Sequence, residues 1–210
     1  MRSLVVALSL LAATASAAES EPQPYDLTKL QKIEGASFRP TDKRYPAALA
    51  AAGVQGEVLV IVPLTDDGKS NGASLGATSR SEELDTIAVD LVKAASFRLP
   101  DAPAQGWKAI VVPVQFYKDS VTSLQTKTCA DFNVDYDYQL TKFPERKPED
   151  MRVFEMLTGI LYIKSVKSTA QALDLAKRTA AARQPTIDGC RKNPESLLMS
   201  TWLVSARAAF

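Results

Sequence analysis

Apolar positions recur along this chain with two different periods, and the change of period marks out its elements. Residues 45–52, opened by Tyr45-Pro46, are an alanine-rich run of strong helix formers with proline at a permitted first-turn position and Gly53 as the stop. From Gly56 the period is two. Val58, Val60 and Val62 fall on one face and Leu59 and Ile61 on the other, which predicts a strand covered on both sides for part of its length. Thr65-Asp66-Asp67-Gly68 supplies a tight turn, and residues 71–78 return as a weaker, glycine-containing strand, completing a β-hairpin. Ser81 is placed to cap a helix with Glu82 and Glu83 in its first turn. Leu84, Ile87, Ala88, Leu91 and Val92 then form a core-facing stripe through Ala95, and Leu99-Pro100 ends the segment. Trp107 to Tyr117 reads as a strand in which Ile110, Val112 and Val114 alternate with Ala109, Val111 and Pro113. Proline has no amide hydrogen and sits mainly on edge strands or at bulges, so this strand is expected to border the sheet.

The flanks read differently. Residues 18–40 scatter a few apolar positions among Glu, Ser, Lys and the prolines Pro22, Pro24 and Pro40, the pattern of a linker or loosely packed arm. From about residue 121 to 210 the helical period dominates. One amphipathic helix is expected from Pro148 through Met151, Phe154, Leu157 and Leu161, another from Ser168 through Leu173 to Ala176, and a last one over 196–208 carrying Leu197, Leu198, Met199, Trp202 and Leu203.

Composition narrows the functional classes. With 46% hydrophobic and 23% charged residues, the 210-residue chain has material for one or two small cores. Its 25 Lys and Arg against 24 Asp and Glu leave a formal charge of +1, which gives no general attraction to nucleic acid. There is no histidine, so the commonest general base and metal ligand is missing and a Ser-His-Asp relay cannot form. Ser79 and Ser81 lack a glycine-flanked nucleophile elbow, and Gly72 and Gly76 do not have the spacing of a phosphate-cradling loop. Asp131, Asp135 and Asp137 cluster beside Tyr136 and Tyr138 but have no partner acid elsewhere, and they read as a solvated loop or helix edge. The expectation is a protein that is not an enzyme and carries no cofactor or metal.

Processing and redox signals agree with each other. Met1-Arg2 is basic, Leu4 to Ala13 is apolar, and Ala15-Ser16-Ala17 has the small-x-small pattern of a signal-peptidase site, so cleavage after Ala17 is expected. The competing reading, a retained anchor, would need about 20 apolar residues to span a bilayer. An exported chain enters an oxidising compartment, where the two cysteines, Cys129 and Cys190, are expected to pair; two separate buried thiols are the alternative. In the chain-entropy view that closure would stabilise the fold by roughly 4 kcal/mol.

Taken together, Tyr45-Pro46, the helix, the Gly56 strand, the Asp66-Asp67-Gly68 turn, the Ser81 helix and the closing Pro113-Val114-Gln115-Phe116 strand resemble the C-terminal domain of the TonB energy-transducer family. The resemblance covers about a third of the chain, residues 41–118. It implies an α+β fold, an antiparallel sheet backed by two helices, here followed by a disulfide-tied helical region at 121–210. It also implies a Gram-negative periplasmic protein linked to transport across the outer membrane. In that family an extended receptor segment adds to the last strand by backbone hydrogen bonds, a β-augmentation mode. The implied partner-binding residues are Lys43, Arg44 and Tyr45 with Val112, Val114 and Phe116 on the strand. The implied partner is an envelope protein or outer-membrane receptor segment. The same edge could pair two copies of the chain, or be covered by its C-terminal region. Family members carry Gln-Pro-x-Tyr-Pro ahead of the first helix, where this chain has Asp42-Lys43-Arg44-Tyr45-Pro46; the structural Tyr-Pro is kept and the docking residues are replaced. A looser similarity links 121–210 to periplasmic acid-stress chaperones of the HdeA type, through Cys129-Ala130-Asp131-Phe132, intervening helices and Cys190 ahead of Asn193-Pro194. It implies a holdase role as the alternative to an adaptor role. A plain helical extension packed on the sheet would fit the same pattern.

Overall fold

A computed structural model describes residues 25–97, 99, 104–165 and 167–208. The expected signal peptide, residues 1–17, lies outside them. The described chain is α+β, with five strands, six α-helices and two short 3-10 turns. The strands are β1 (Gln31–Lys32), β2 (Ser37–Phe38), β3 (Gly56–Pro63), β4 (Ser74–Ala77) and β5 (Ala109–Phe116). The helices are α1 (Ala47–Ala51), α2 (Glu82–Ala94), α3 (Cys129–Lys142), α4 (Arg152–Ser165), α5 (Thr169–Lys192) and α6 (Leu198–Ala208).

The hairpin and helix patterns fold as their periods dictate. β3 pairs antiparallel with β4 on one side and with β5 on the other, in a register that sets Val58 opposite Val114 and Val60 opposite Val112. These valines point into a core closed by Leu84, Ala88 and Val92 of α2 and by Ala50 of α1. Ile61 and Val111 on the opposite face are also fully buried, as expected for a strand covered on both sides. The turn closes on Gly68, whose φ of 77° favours glycine, and Gly68 N–H donates to the Thr65 carbonyl at 2.9 Å. Ser81 caps α2 by accepting from Leu84 N–H at 3.5 Å. Asp85, one turn in, accepts from Ser79 N–H (2.8 Å), Ser79 Oγ (2.7 Å) and Thr78 Oγ1, which pins the β4–α2 connection where Arg80 takes a φ of 65°.

Two findings correct the sequence reading of the sheet. The order is β1-β5-β3-β4, with β2 also on β5, so β5 does not border the sheet. Its outer side is occupied by β1 and β2, which run parallel to it end to end. The segment expected to be only a linker is therefore, over residues 31–38, part of the sheet. Prolines at 22, 24 and 40 bracket this stretch without entering it, so nothing in its own backbone opposes pairing.

The second core is helical. Leu124, Phe132, Phe154, Leu157, Ile187, Leu198 and Trp202 pack around the Cys129–Cys190 disulfide, both of whose cysteines are fully buried. Thr128 and Asp131 form a reciprocal capping box at the start of α3. The helix expected to stop near Ala176 instead runs as α5 to Lys192, with Pro185 inside it. Proline costs a helix one backbone bond. Here α5 packs on α6 and carries Ile187 and Cys190 into the core, and that burial overrides the local preference.

Candidate functional site

The outer side of β5 is built from one row of backbone groups. Val111 C=O accepts from Ile33 N–H (3.1 Å), Gln115 N–H donates to the Ala36 carbonyl (2.8 Å), and Tyr117 N–H donates to the Phe38 carbonyl (3.0 Å). Groups of one edge recur every second residue in a strand, so 111, 113, 115 and 117 all face the arm. Pro113 is the member of that row without a donor. Its position leaves the β3 ladder intact and splits the arm pairing into the two short strands β1 and β2. Proline thus marks the side of β5 that lacks a continuous ladder, although the strand is not at the margin of the sheet.

Opposite Pro113 stands Gly35. A Cβ built on Gly35 would lie 1.4 Å from the Pro113 carbonyl oxygen, so no other residue fits without displacing the arm. On either side of the glycine the arm sinks an apolar anchor. Phe38, 6% exposed, stacks on Phe116 with ring centroids 5.6 Å apart, and Ile33 packs against the sheet core. Gln31, Lys32, Glu34, Ala36 and Ser37 face solvent. The hold is modest. Each backbone bond contributes about 1 kcal/mol net, Phe38 burial about 2–3 kcal/mol, and the ring pair about 1 kcal/mol. Ordering eight residues costs about 1 kcal/mol each at the low end, so gains and costs nearly cancel.

The sequence-derived partner residues divide into two groups. Lys43 and Arg44 are exposed in the turn before α1. Tyr45 is 1% exposed; its hydroxyl donates to the Val54 carbonyl at 2.6 Å and its ring meets Phe116 edge-on. Burial, then the nearby Asp135 carboxylate, pushes the Tyr45 phenol well above its usual range. Val112, Val114 and Phe116 point into the core, so β5 meets a neighbouring segment through its backbone. The residues that sequence reasoning missed are Ile33, Gly35 and Phe38. Their signal was an apolar pair around a glycine, hidden in a stretch whose prolines suggested a linker.

A second cluster joins the two cores. Lys127, only 4% exposed at its side chain, places Nζ 2.7 Å from Asp119 Oδ1 and in hydrogen-bond contact with Asp135 Oδ2, while Lys118 Nζ reaches Asp135 Oδ1 at 3.2 Å. Burial opposes the charge on Lys127, but the two carboxylates outweigh it and hold the ammonium above the ordinary lysine range. Asp135 is therefore no solvated helix edge, as its sequence neighbourhood suggests, but a buried member of an ion cluster; Asp137, by contrast, is exposed and pairs with Arg191. Gly53 brings α1 close to α3: with φ at 75°, a Cβ there would meet the Val134 carbonyl at 2.9 Å. Arg80 bridges to Glu145 through both guanidinium nitrogens (2.9 and 2.6 Å). A crevice of about 740 Å³ remains between sheet and helices. Its aromatic walls are capped by the chain's own arginines, Arg152 lying 3.4 Å from the Tyr117 ring centroid and Arg146 4.2 Å from that of Phe143.

Among the described residues no helix is long and apolar enough to cross a membrane. Comparison with known proteins locates a likeness in about a third of the chain. Residues 41–117 match the family model described as Gram-negative bacterial TonB protein C-terminal. Over 76 residues, 35% of this chain and 33% of each relative, the sequence is 37% identical to Protein TonB of Xanthomonas campestris pv. campestris strain B100, and equally to Protein TonB of strain ATCC 33913. The chain spans about a third of the length of these curated relatives. No solved structure matches it. The arm at 31–38 and everything after 117 lie outside the matched span, and the part from α1 through β5 is the part of the fold that is similar to the TonB C-terminal family.

Proposed function

We propose that this protein is a cell-envelope binding module that works in the periplasm and engages an extended segment of another envelope protein, such as an outer-membrane receptor, by strand addition along β5. The observation that carries this reading is the row of outward backbone groups at Val111, Gln115 and Tyr117, which already accommodates an extended parallel segment through main-chain bonds. The TonB C-terminal likeness of residues 41–117 supports the same use. Binding of this kind draws affinity from backbone hydrogen bonds and specificity from side-chain pockets, so it needs no catalytic group, cofactor or metal. Exposed Lys43 and Arg44 beside the buried Tyr45 would add a basic flank to the site.

The test places a photo-crosslinking residue at Gln115, on the arm side of β5, and a control crosslinker at Val204, exposed on α6. With envelope fractions, the first should trap one extended segment of a discrete envelope protein, identified by sequencing the joined peptide, and the second should not. Equal trapping at both positions, or none at Gln115, would rule out strand addition at this rim.

A further inference from the structure

Resting on that reading, we infer that residues 31–38 are the resident occupant of the binding rim, and that they reveal what an incoming ligand must look like. An extended peptide with an apolar residue, a glycine two positions later and an aromatic residue three positions after that takes their place on β5, and the arm leaves when it does.

Each element of the pattern has its own cause. The glycine is required because Pro113 presents its carbonyl where any side chain would stand, with a Cβ only 1.4 Å away. The leading apolar residue fills the place of Ile33 against the sheet core, and the aromatic fills that of Phe38, stacked at 5.6 Å on Phe116. The direction is parallel to β5, as in β1 and β2. Positions between the anchors face solvent in the arm and are free to vary. The arm lies outside the 41–117 span that matches the TonB C-terminal family, so this chain supplies the occupant from its own flanking sequence. It is covalently tethered and therefore present at high local concentration, which makes it a competitor: the apparent affinity for any foreign strand falls by the fraction of time the rim is open.

The probe is a fluorescent peptide of this chain's own residues 29–40, titrated by anisotropy into the full chain. Gly35→Val in the protein, not in the peptide, unseats the resident arm. It is expected to tighten peptide binding by about tenfold or more, and to remove hydrogen-exchange protection at the Gln115 and Tyr117 amides while that of α2 is kept. Phe38→Ala in the protein loosens the arm without a backbone clash and should give a smaller gain in the same direction. A peptide carrying Gly35→Val should not bind any of the proteins. Equal binding to wild type and to both variants with α2 protection intact, or binding of the Gly35→Val peptide, would overturn the inference. Concentration-dependent pairing of wild-type chains that Gly35→Val abolishes would also overturn it, by assigning the rim to a second copy. The two readings fail separately. Peptide capture by the variants without any Gln115 crosslink leaves the occupancy standing and sinks the envelope partner. A crosslinked partner insensitive to Gly35→Val does the reverse.

Discussion

Replacing Lys127 by methionine tests the buried ion cluster that joins the two cores. The variant keeps the side chain's length but leaves Asp135, 1% exposed, and Asp119, 8% exposed, without their shared cation. Breaking a buried pair by deleting one partner costs about 3–5 kcal/mol, because the remaining charge stays in a poorly solvating site. Lys118 still reaches Asp135 at 3.2 Å, which puts the expectation near the lower end, about 3 kcal/mol. For a chain of this length that corresponds to a fall in Tm of about 6–12 °C, measured by calorimetry. Adding Asp135→Asn removes the orphaned carboxylate and should return about 1–3 kcal/mol, a clear departure from additivity. The pH dependence has a defined sign. Because the folded protein holds Lys127 above the 10.5 of a free lysine, its contribution is complete below about pH 10.5 and is lost as pH climbs through the higher folded value. The gap between wild type and Lys127→Met should therefore narrow at strongly alkaline pH, where Lys127 gives up its proton, and also in acid, where the Asp135 carboxyl, raised above its ordinary range by burial, takes one up. A single-variant cost under about 1 kcal/mol, or strict additivity in the double variant, would refute the account of the cluster.

Two further outcomes follow from the packing. Cys129→Ser with Cys190→Ser opens a loop of 61-residue sequence separation and should cost about 4 kcal/mol in denaturant unfolding of the helical half; a change under about 1 kcal/mol would mean that the reduced chain is equally constrained. Asp85→Ala leaves the buried Ser79 N–H and hydroxyl without their acceptor and should cost about 2–3 kcal/mol, with exchange at Ser79 accelerated more than across β5; unchanged exchange there would show that the turn is held by other contacts.

Much of the sheet was legible because it is written in period and turn chemistry. Val58, Val60 and Val62, the Asp66-Asp67-Gly68 turn and the Ser81 cap are local signals, and each element formed where its residues placed it. The disulfide was legible from the count of two cysteines and the expectation of export. The arm was not, since a two-residue strand has no measurable period and its pairing depends on a partner about 80 residues away. Asp135 reads on its own as one of several surface acids; its burial exists only because Lys127 and Lys118 converge on it from the preceding segment.

The amino-acid sequence by itself determined the elements from α1 through β5, the faces of β3, α2 and β5 that enter the core, and the likeness of residues 41–117 to a TonB C-terminal domain, since short-range periodicity and backbone preference act within a few residues. Tertiary structure alone decided which segment lies against the outer side of β5. That choice rests on a steric match between Gly35 and Pro113 and on a ring stack between Phe38 and Phe116, contacts that come into being only when distant parts of the chain meet.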